Sequence, residues 1–237
     1  MFFPGTVWTV SRSIGDLLSG AVLVFARVID DTASASTGVG RSAYDRPMSP
    51  PPPSVPDGSS TADVSECIVL FDGSVQIDYG QFYFRSSDGQ GGCDFDGAFI
   101  GQRNGLCGAA TPGQLVLITG PNVGDPHVRA ELHTREPALD DRWEDIVEAT
   151  MIVPERSAYS IVELGGDALG DSTYFSAGSY RVRYSASGTD DAHPASTNFV
   201  ADSDDYLLQL WPAHTAPDRV VKQTSSSAAY WHAYFSQ

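Results

Sequence analysis

From residue 66 onward the chain sets apolar against polar residues in short runs. This is the period-two pattern of strands with one buried face. Residues 66–71 lead into Asp72-Gly73, a two-residue hairpin signal, and residues 74–78 alternate beyond it. Residues 79–85 are aromatic-rich in the manner of a strand, and a Gly/Asp-rich loop follows over 86–97. Residues 114–119 form an apolar run bounded by Pro-Gly and Gly-Pro, which predicts a buried strand. Residues 127–134 alternate with Val128, Ala130 and Leu132 on one side. Residues 143–153 place Val147, Ala149, Met151 and Val153 opposite Ile146, Glu148, Thr150 and Ile152. Further strands are expected at 159–163, 180–184 and 206–211. One helix is expected, over 228–235, capped by the serines at 225–227. Turn signals at this spacing predict an all-β protein, a β-sandwich of jelly-roll type with a short C-terminal helix.

Residues 1–62 follow no such pattern. The apolar run at 17–26 is ten residues long, about half of what a membrane helix needs, and Asp16 and Arg27 bound it. Its length suits the core of a secretion signal, and Ala33-Ser34-Ala35 resembles a cleavage site. The basic segment such a signal needs before the run is missing, so the expected compartment is the cytoplasm, with secretion the competing reading. Residues 32–60 are rich in Ser, Thr, Gly and Pro, with four consecutive prolines at 50–53, and cannot bury enough apolar surface to offset the entropy of ordering. Residues 1–62 are therefore expected to be a disordered extension and linker, and residues 63–237 the folded domain.

Charge adds a direction to this picture. The chain carries 30 acids against 14 Lys and Arg, a net charge of −16; 25 of the acids and 10 of the bases lie from Asp63 onward. Such a domain repels nucleic acid and membrane surfaces and attracts basic proteins. Asp190, Asp191, Asp202, Asp204 and Asp205 form the acid clusters expected to meet such a partner. The competing readings are solubility charges, or calcium ligands in Asp202-Ser203-Asp204-Asp205, which lacks the EF-hand glycine and distal glutamate.

Motifs for chemistry are sparse. There is no GxSxG, HExxH, Walker or GxGxxG signature, and no cofactor is expected. His127, Arg129, Glu131 and His133 share one strand face, which makes His127, Glu131 and His133 weak candidates for a metal enzyme. Arg129 sits among them, and a solvated outer face is the expected reading. Glu144, Asp145 and Glu148 make a glycosidase-like carboxylate group only in the sense that any acid-rich chain does. Tyr79, Phe82, Tyr83, Phe84, Trp211, Tyr230 and Trp231 are candidates for a carbohydrate platform, although aromatics at alternate strand positions are more often core. Cys67, Cys93 and Cys107 show no CxxC spacing; idle thiols are expected, with a Cys93–Cys107 bond as the alternative.

Four segments in this order, residues 77–83, 151–154, 175–182 and 205–212, resemble the competence protein J family. Its known members are small β-sandwich proteins that inhibit a DNA-entry nuclease. Residues 206–212 and Tyr230-Trp231-His232 are similar to a pattern near the end of uncharacterised β-sandwich proteins of GC-rich bacteria. The resemblance spans about residues 66–211, rests on spacing and hydrophobic pattern, and assigns no inhibitory residue. It implies a sandwich fold and an inhibitor or immunity-type partner for a basic nuclease or toxin, without enzymatic activity. The alternative is a jelly-roll module that binds carbohydrate or calcium.

Overall fold

Alternation becomes strand almost wherever the chain shows it. The computed structural model describes residues 67–86, 93–193 and 200–236. They belong to the second of two units, which divide between Asp57 and Gly58; the expected extension and linker over 1–62 lie outside the described residues. In chain order the elements are β1 (Cys67–Ser74), β2 (Ile77–Asp78), β3 (Gln81–Ser86), a 3-10 turn (Gly97–Phe99), β4 (Cys107–Gly108), β5 (Gln114–Ile118), β6 (Val123–Gly124), β7 (His127–His133), β8 (Asp145–Val153), β9 (Ser157–Val162), β10 (Ala168–Phe175), β11 (Gly178–Ser187), β12 (Asp205–Pro212), β13 (Arg219–Lys222) and α1 (Ser226–Phe235).

Two sheets result. The first runs β1-β7-β12-β11-β8-β13, antiparallel throughout except that β7 and β12 are parallel. The second runs β10-β9-β3-β2-β6, with β5 paired to β3 and β4 to β5. Among the described residues the architecture is all-β with one C-terminal helix. The parallel β7–β12 pair sets its first sheet apart from the antiparallel sheets of a jelly roll.

Aromatic side chains join the two sheets. Phe82 of β3 meets Tyr184 of β11 and Tyr206 of β12 edge-on, each with ring centroids 6.3 Å apart. The Tyr184 hydroxyl donates to the Ile118 carbonyl at 2.9 Å, so its polar end is satisfied inside the core. Val147, Ala149, Met151 and Val153 of β8 face this core as alternation predicts. So do Val128 and Ala130 of β7, and Tyr206, Leu208 and Leu210 of β12.

One turn lies elsewhere than expected. β1 continues through Asp72-Gly73, because Asp72, Gly73 and Ser74 pair with Arg129, Val128 and His127 of β7. The chain reverses instead at Tyr79-Gly80, between β2 and β3, where both residues have positive φ, 56° and 70°. Two positive φ values in succession give the hairpin turn that matches strand twist, and a glycine in one position makes it accessible.

The C-terminal helix is tied down at both ends. The Ser225 hydroxyl accepts from the Ala228 N–H at 3.0 Å as its N-cap. Further along, the Gly105 N–H donates to His232 Nδ1 at 2.8 Å. A Cβ at residue 105 would lie 2.1 Å from the Trp231 carbonyl oxygen, so glycine is required there. Phe235 stacks on Phe99 at 3.8 Å between centroids, covering the loop that carries β4. Cys93 is half-buried and Cys107 buried; they are not joined, and burial pushes the Cys107 thiol up to about 12. Among the described residues no helix is long and apolar enough to cross a membrane.

Candidate functional site

The parallel β7–β12 pair decides where the acids go. It sets the starts of these two strands side by side, with Asp205 opposite His127. Antiparallel β1 and β11 both end beside those starts, with Ser74 opposite His127 and Ser187 opposite Asp205. Acids that flank these strand ends therefore collect along one edge of the sheet. The Asp125 N–H donates to Asp202 Oδ1 at 2.9 Å, and Asp205 Oδ1 lies 3.4 Å from His127 Nδ1. The other ring nitrogen of His127 is 2.8 Å from Asp72 Oδ1. That hydrogen bond, and then the charge and hydrogen bond of Arg129, hold the Asp72 carboxyl below its ordinary range despite some desolvation. Glu144, just before β8, accepts from the Gly188 N–H at 2.9 Å just past the end of β11. Asp72, Asp125, Glu144, Asp191, Asp202 and Asp205 are all exposed on this rim.

The five expected partner contacts thus divide by structural duty. Asp191, Asp202 and Asp205 are exposed. Asp190 is turned to the helix, accepting from the Ser226 and Ser227 N–H groups at 2.8 and 3.0 Å. Asp204 is only 1% exposed and accepts the Tyr206 hydroxyl proton at 2.6 Å, so it cannot present charge to a partner. Burial, with the charges of Asp202 and Asp205, pushes its carboxyl up against the pull of that bond. Asp202 and Asp205 stay exposed while Asp204 turns inward, so the three carboxylates do not share one exposed face.

The expected His127, Glu131 and His133 set is split. His127 turns to Asp72 and Asp205, while Glu131 Oε2 lies 2.9 Å from His133 Nε2 and accepts from Gln209 Nε2 at 3.1 Å. Arg129 Nε donates to Glu131 Oε1 at 2.7 Å and its guanidinium also bonds Asp72. Glu131 is buried, so this outer face is less solvated than its sequence suggests.

Farther across the same face lies a polar centre that local pattern does not reveal. Glu148 of β8 is 2% exposed and receives three arginines. Arg183 donates from Nε and Nη2 to Oε1 at 3.1 and 3.0 Å; Arg181 and Arg219 donate from Nε to Oε2 at 3.2 and 2.9 Å. Burial alone would raise the Glu148 carboxyl, but the hydrogen bond and charge of Arg183, then those of Arg219, hold it below its ordinary range. The Arg183 guanidinium carbon sits 5.2 Å from the Trp211 ring centroid. An open cleft of about 470 Å³ beside them is lined by Arg181, Arg219, Trp211 and His214. Asp145 lies on the opposite face of β8 and accepts from the Thr224 and Ser225 N–H groups, which rules out a Glu148–Asp145 catalytic pair. Of the aromatic candidates, Phe82, Tyr83, Phe84 and Trp211 are buried, while Tyr79 and Tyr230 are exposed on separate elements.

No family model and no curated protein matches the chain. Two solved structures are similar in fold. One is the crystal structure of ComJ, inhibitor of the DNA degrading activity of NucA, from Bacillus subtilis. It has a TM-score of 0.42 and 18% identity, covering 62% of this chain and 98% of that one. The other is Crocagin biosynthetic gene J, with a TM-score of 0.40 and 15% identity, covering 62% of this chain and 99% of that one.

Proposed function

We propose that this protein is a non-enzymatic binding protein of the cytoplasm that docks its acidic rim on a basic protein, as an inhibitor or immunity-type partner of a basic nuclease or toxin. The observation that supports this reading is the gathering of Asp125, Glu144, Asp191, Asp202 and Asp205 at one edge of the first sheet, although they are scattered along the chain. A rim of like charge fixed on strand ends is preorganised: its repulsion is borne by the fold and relieved when a basic surface arrives. It would also speed encounter with a cationic partner. The phosphates of nucleic acid would be repelled by the same rim, so the partner is the protein that handles nucleic acid and not the nucleic acid itself.

The test is to purify the tagged full chain from its native host at low salt and identify any retained basic protein. Its association rate with the purified chain is then measured across a range of salt. The reading expects a nuclease or toxin whose activity falls on binding and whose association slows steeply as salt rises. Retention of no basic protein at low salt, or an association rate indifferent to salt, removes it.

A further inference from the structure

We infer that Cys67, Glu131 and His133 form a three-ligand site for a thiophilic divalent cation of the zinc class on the outer face of the first sheet. Cys67 and His133 are register partners across the β1–β7 ladder, and Glu131 lies two residues from His133 on the same face. One ligand atom from each of the three side chains lies within 4.8 Å of the other two. Bonds of about 2.0–2.3 Å in a tetrahedron would bring such atoms to roughly 3.3–3.7 Å from one another, so small side-chain rotations close the site. The set is sheltered: the His133 and Glu131 side chains are 13% and 12% exposed.

The surroundings orient the ligands. Arg129 holds Glu131 by Oε1, which leaves Oε2 facing His133 Nε2 at 2.9 Å. Gln209 donates to that same Oε2 from the neighbouring strand β12. Both are the kind of outer partner that fixes a ligating carboxylate. Arg129 would repel a cation if its charge were uncompensated, but its guanidinium is also paired with Asp72. A thiolate and a carboxylate then balance the two charges of the metal, and the Arg129–Asp72 pair is neutral beside them. On binding, the Cys67 thiol proton leaves to solvent and the His133 ring proton moves from Nε2 to Nδ1, freeing the Nε2 lone pair for the metal.

Ligand chemistry sets the cation. A sulfur–nitrogen–oxygen set suits zinc and its tetrahedral stand-in cobalt, whereas calcium and magnesium require oxygen ligands in greater number. Three protein ligands leave a fourth position, and an open cleft of about 710 Å³ begins at His133, lined also by Arg135, Glu136, Pro137, Ala138 and Leu139. Water or an incoming donor completes the tetrahedron from that side.

The experiment is titration of the full chain, purified under reducing conditions without chelator, with cobalt(II). One equivalent is expected to produce a thiolate-to-cobalt charge-transfer band in the near ultraviolet, together with the visible bands of a tetrahedral ion. Zinc should abolish both. Cys67→Ser must remove the charge-transfer band, and His133→Ala must weaken cobalt binding by at least about tenfold. His127→Ala and Cys93→Ser should leave the titration unchanged. Circular dichroism confirms that each variant is folded, and the conservative Cys67→Ser keeps the test available if His133→Ala is not. Absence of a thiolate band in the unaltered chain, or its survival in Cys67→Ser, overturns the assignment. So does six-coordinate cobalt bound without sulfur.

Discussion

Arg183 and Glu148 face each other across the β11–β8 ladder, 3% and 2% exposed, and share two hydrogen bonds at 3.0 and 3.1 Å. Glu148 is also the acceptor for Arg181 and Arg219, so one carboxylate is the shared acceptor of three guanidinium groups drawn from β11 and β13. Removing it leaves Arg181 buried without its counter-charge and Arg183 with only the exposed carboxylate of Glu136, 3.2 Å from Nη2. Glu148→Ala is expected to cost about 3–5 kcal/mol of stability, read by urea unfolding. Replacing Glu148 and Arg183 together by methionine should cost less than Glu148→Ala alone. A pair taken out whole leaves fewer stranded charges than a pair cut in half.

The same carboxylate carries a pH signature. Its folded-state pKa is depressed, so its contribution is fully present above the unfolded value, about 4.3 for glutamate, and is lost as pH falls through the lower folded value. Glu148→Gln should flatten that part of the acid-unfolding curve. Equal acid slopes in the variant and the unaltered chain would remove Glu148 as a contributor.

The hairpin at Tyr79-Gly80 carries its own prediction. Tyr79 is 82% exposed and sits at φ 56°, a region that costs an ordinary side chain about 1–2 kcal/mol. Tyr79→Asn keeps the backbone and forfeits little packing, and is expected to raise stability by up to about 1 kcal/mol. Gly80→Val should lower it, since φ is 70° and a Cβ there would lie 3.2 Å from Asn122 Oδ1. Thermal unfolding of the two variants distinguishes the signs.

These features show where sequence was readable and where it was not. β8 was readable because Val147, Ala149, Met151 and Val153 all bury on one side, so period alone places them. Asp72-Gly73 misled because its local turn chemistry is overridden by pairing with β7, which takes up the Asp72 carboxylate. β10 lacks a clean apolar face and β13 is four residues long, and neither stands out as a period. The arginines of Glu148 lie 33 to 71 residues away along the chain, a distance at which no spacing rule operates. Asp204 was legible in principle. The alternation that turns Tyr206, Leu208 and Leu210 inward continues two residues before β12 and turns Asp204 inward too.

Asp204 gives the next test. One oxygen bonds Tyr206, and the other, Oδ1, is buried without a protein partner. Its folded-state pKa is raised, so the folded state holds the proton more tightly. The associated stability is full below the unfolded value of about 3.9 and lost as pH rises through the folded value. Asp204→Asn removes the buried charge and keeps an acceptor for Tyr206. It should be more stable than the unaltered chain at neutral pH, on the order of 1 kcal/mol, and the gap should narrow under acid. A variant that loses stability at neutral pH contradicts this.

The rim and the helix cap separate two duties of aspartates that look alike in sequence. Asp190 serves the first two N–H groups of α1, so Asp190→Ala should cost about 1 kcal/mol of stability, through the lost cap and the lost charge at a helix N-terminus. It should leave the association rate with the basic partner nearly unchanged. Asp191→Asn, on the exposed rim, should do the reverse: folding stability stays within about 0.5 kcal/mol, while association slows severalfold at low salt and depends less steeply on salt. Asp202→Asn and Asp205→Asn together should slow it further, because they remove two charges at the strand starts where β7 and β12 lie side by side. Stopped-flow mixing at several salt concentrations, with stability measured on the same preparations, reads both quantities. If Asp190→Ala slows association as much as the double variant does, charge anywhere on the domain suffices, and the rim has no special place in binding.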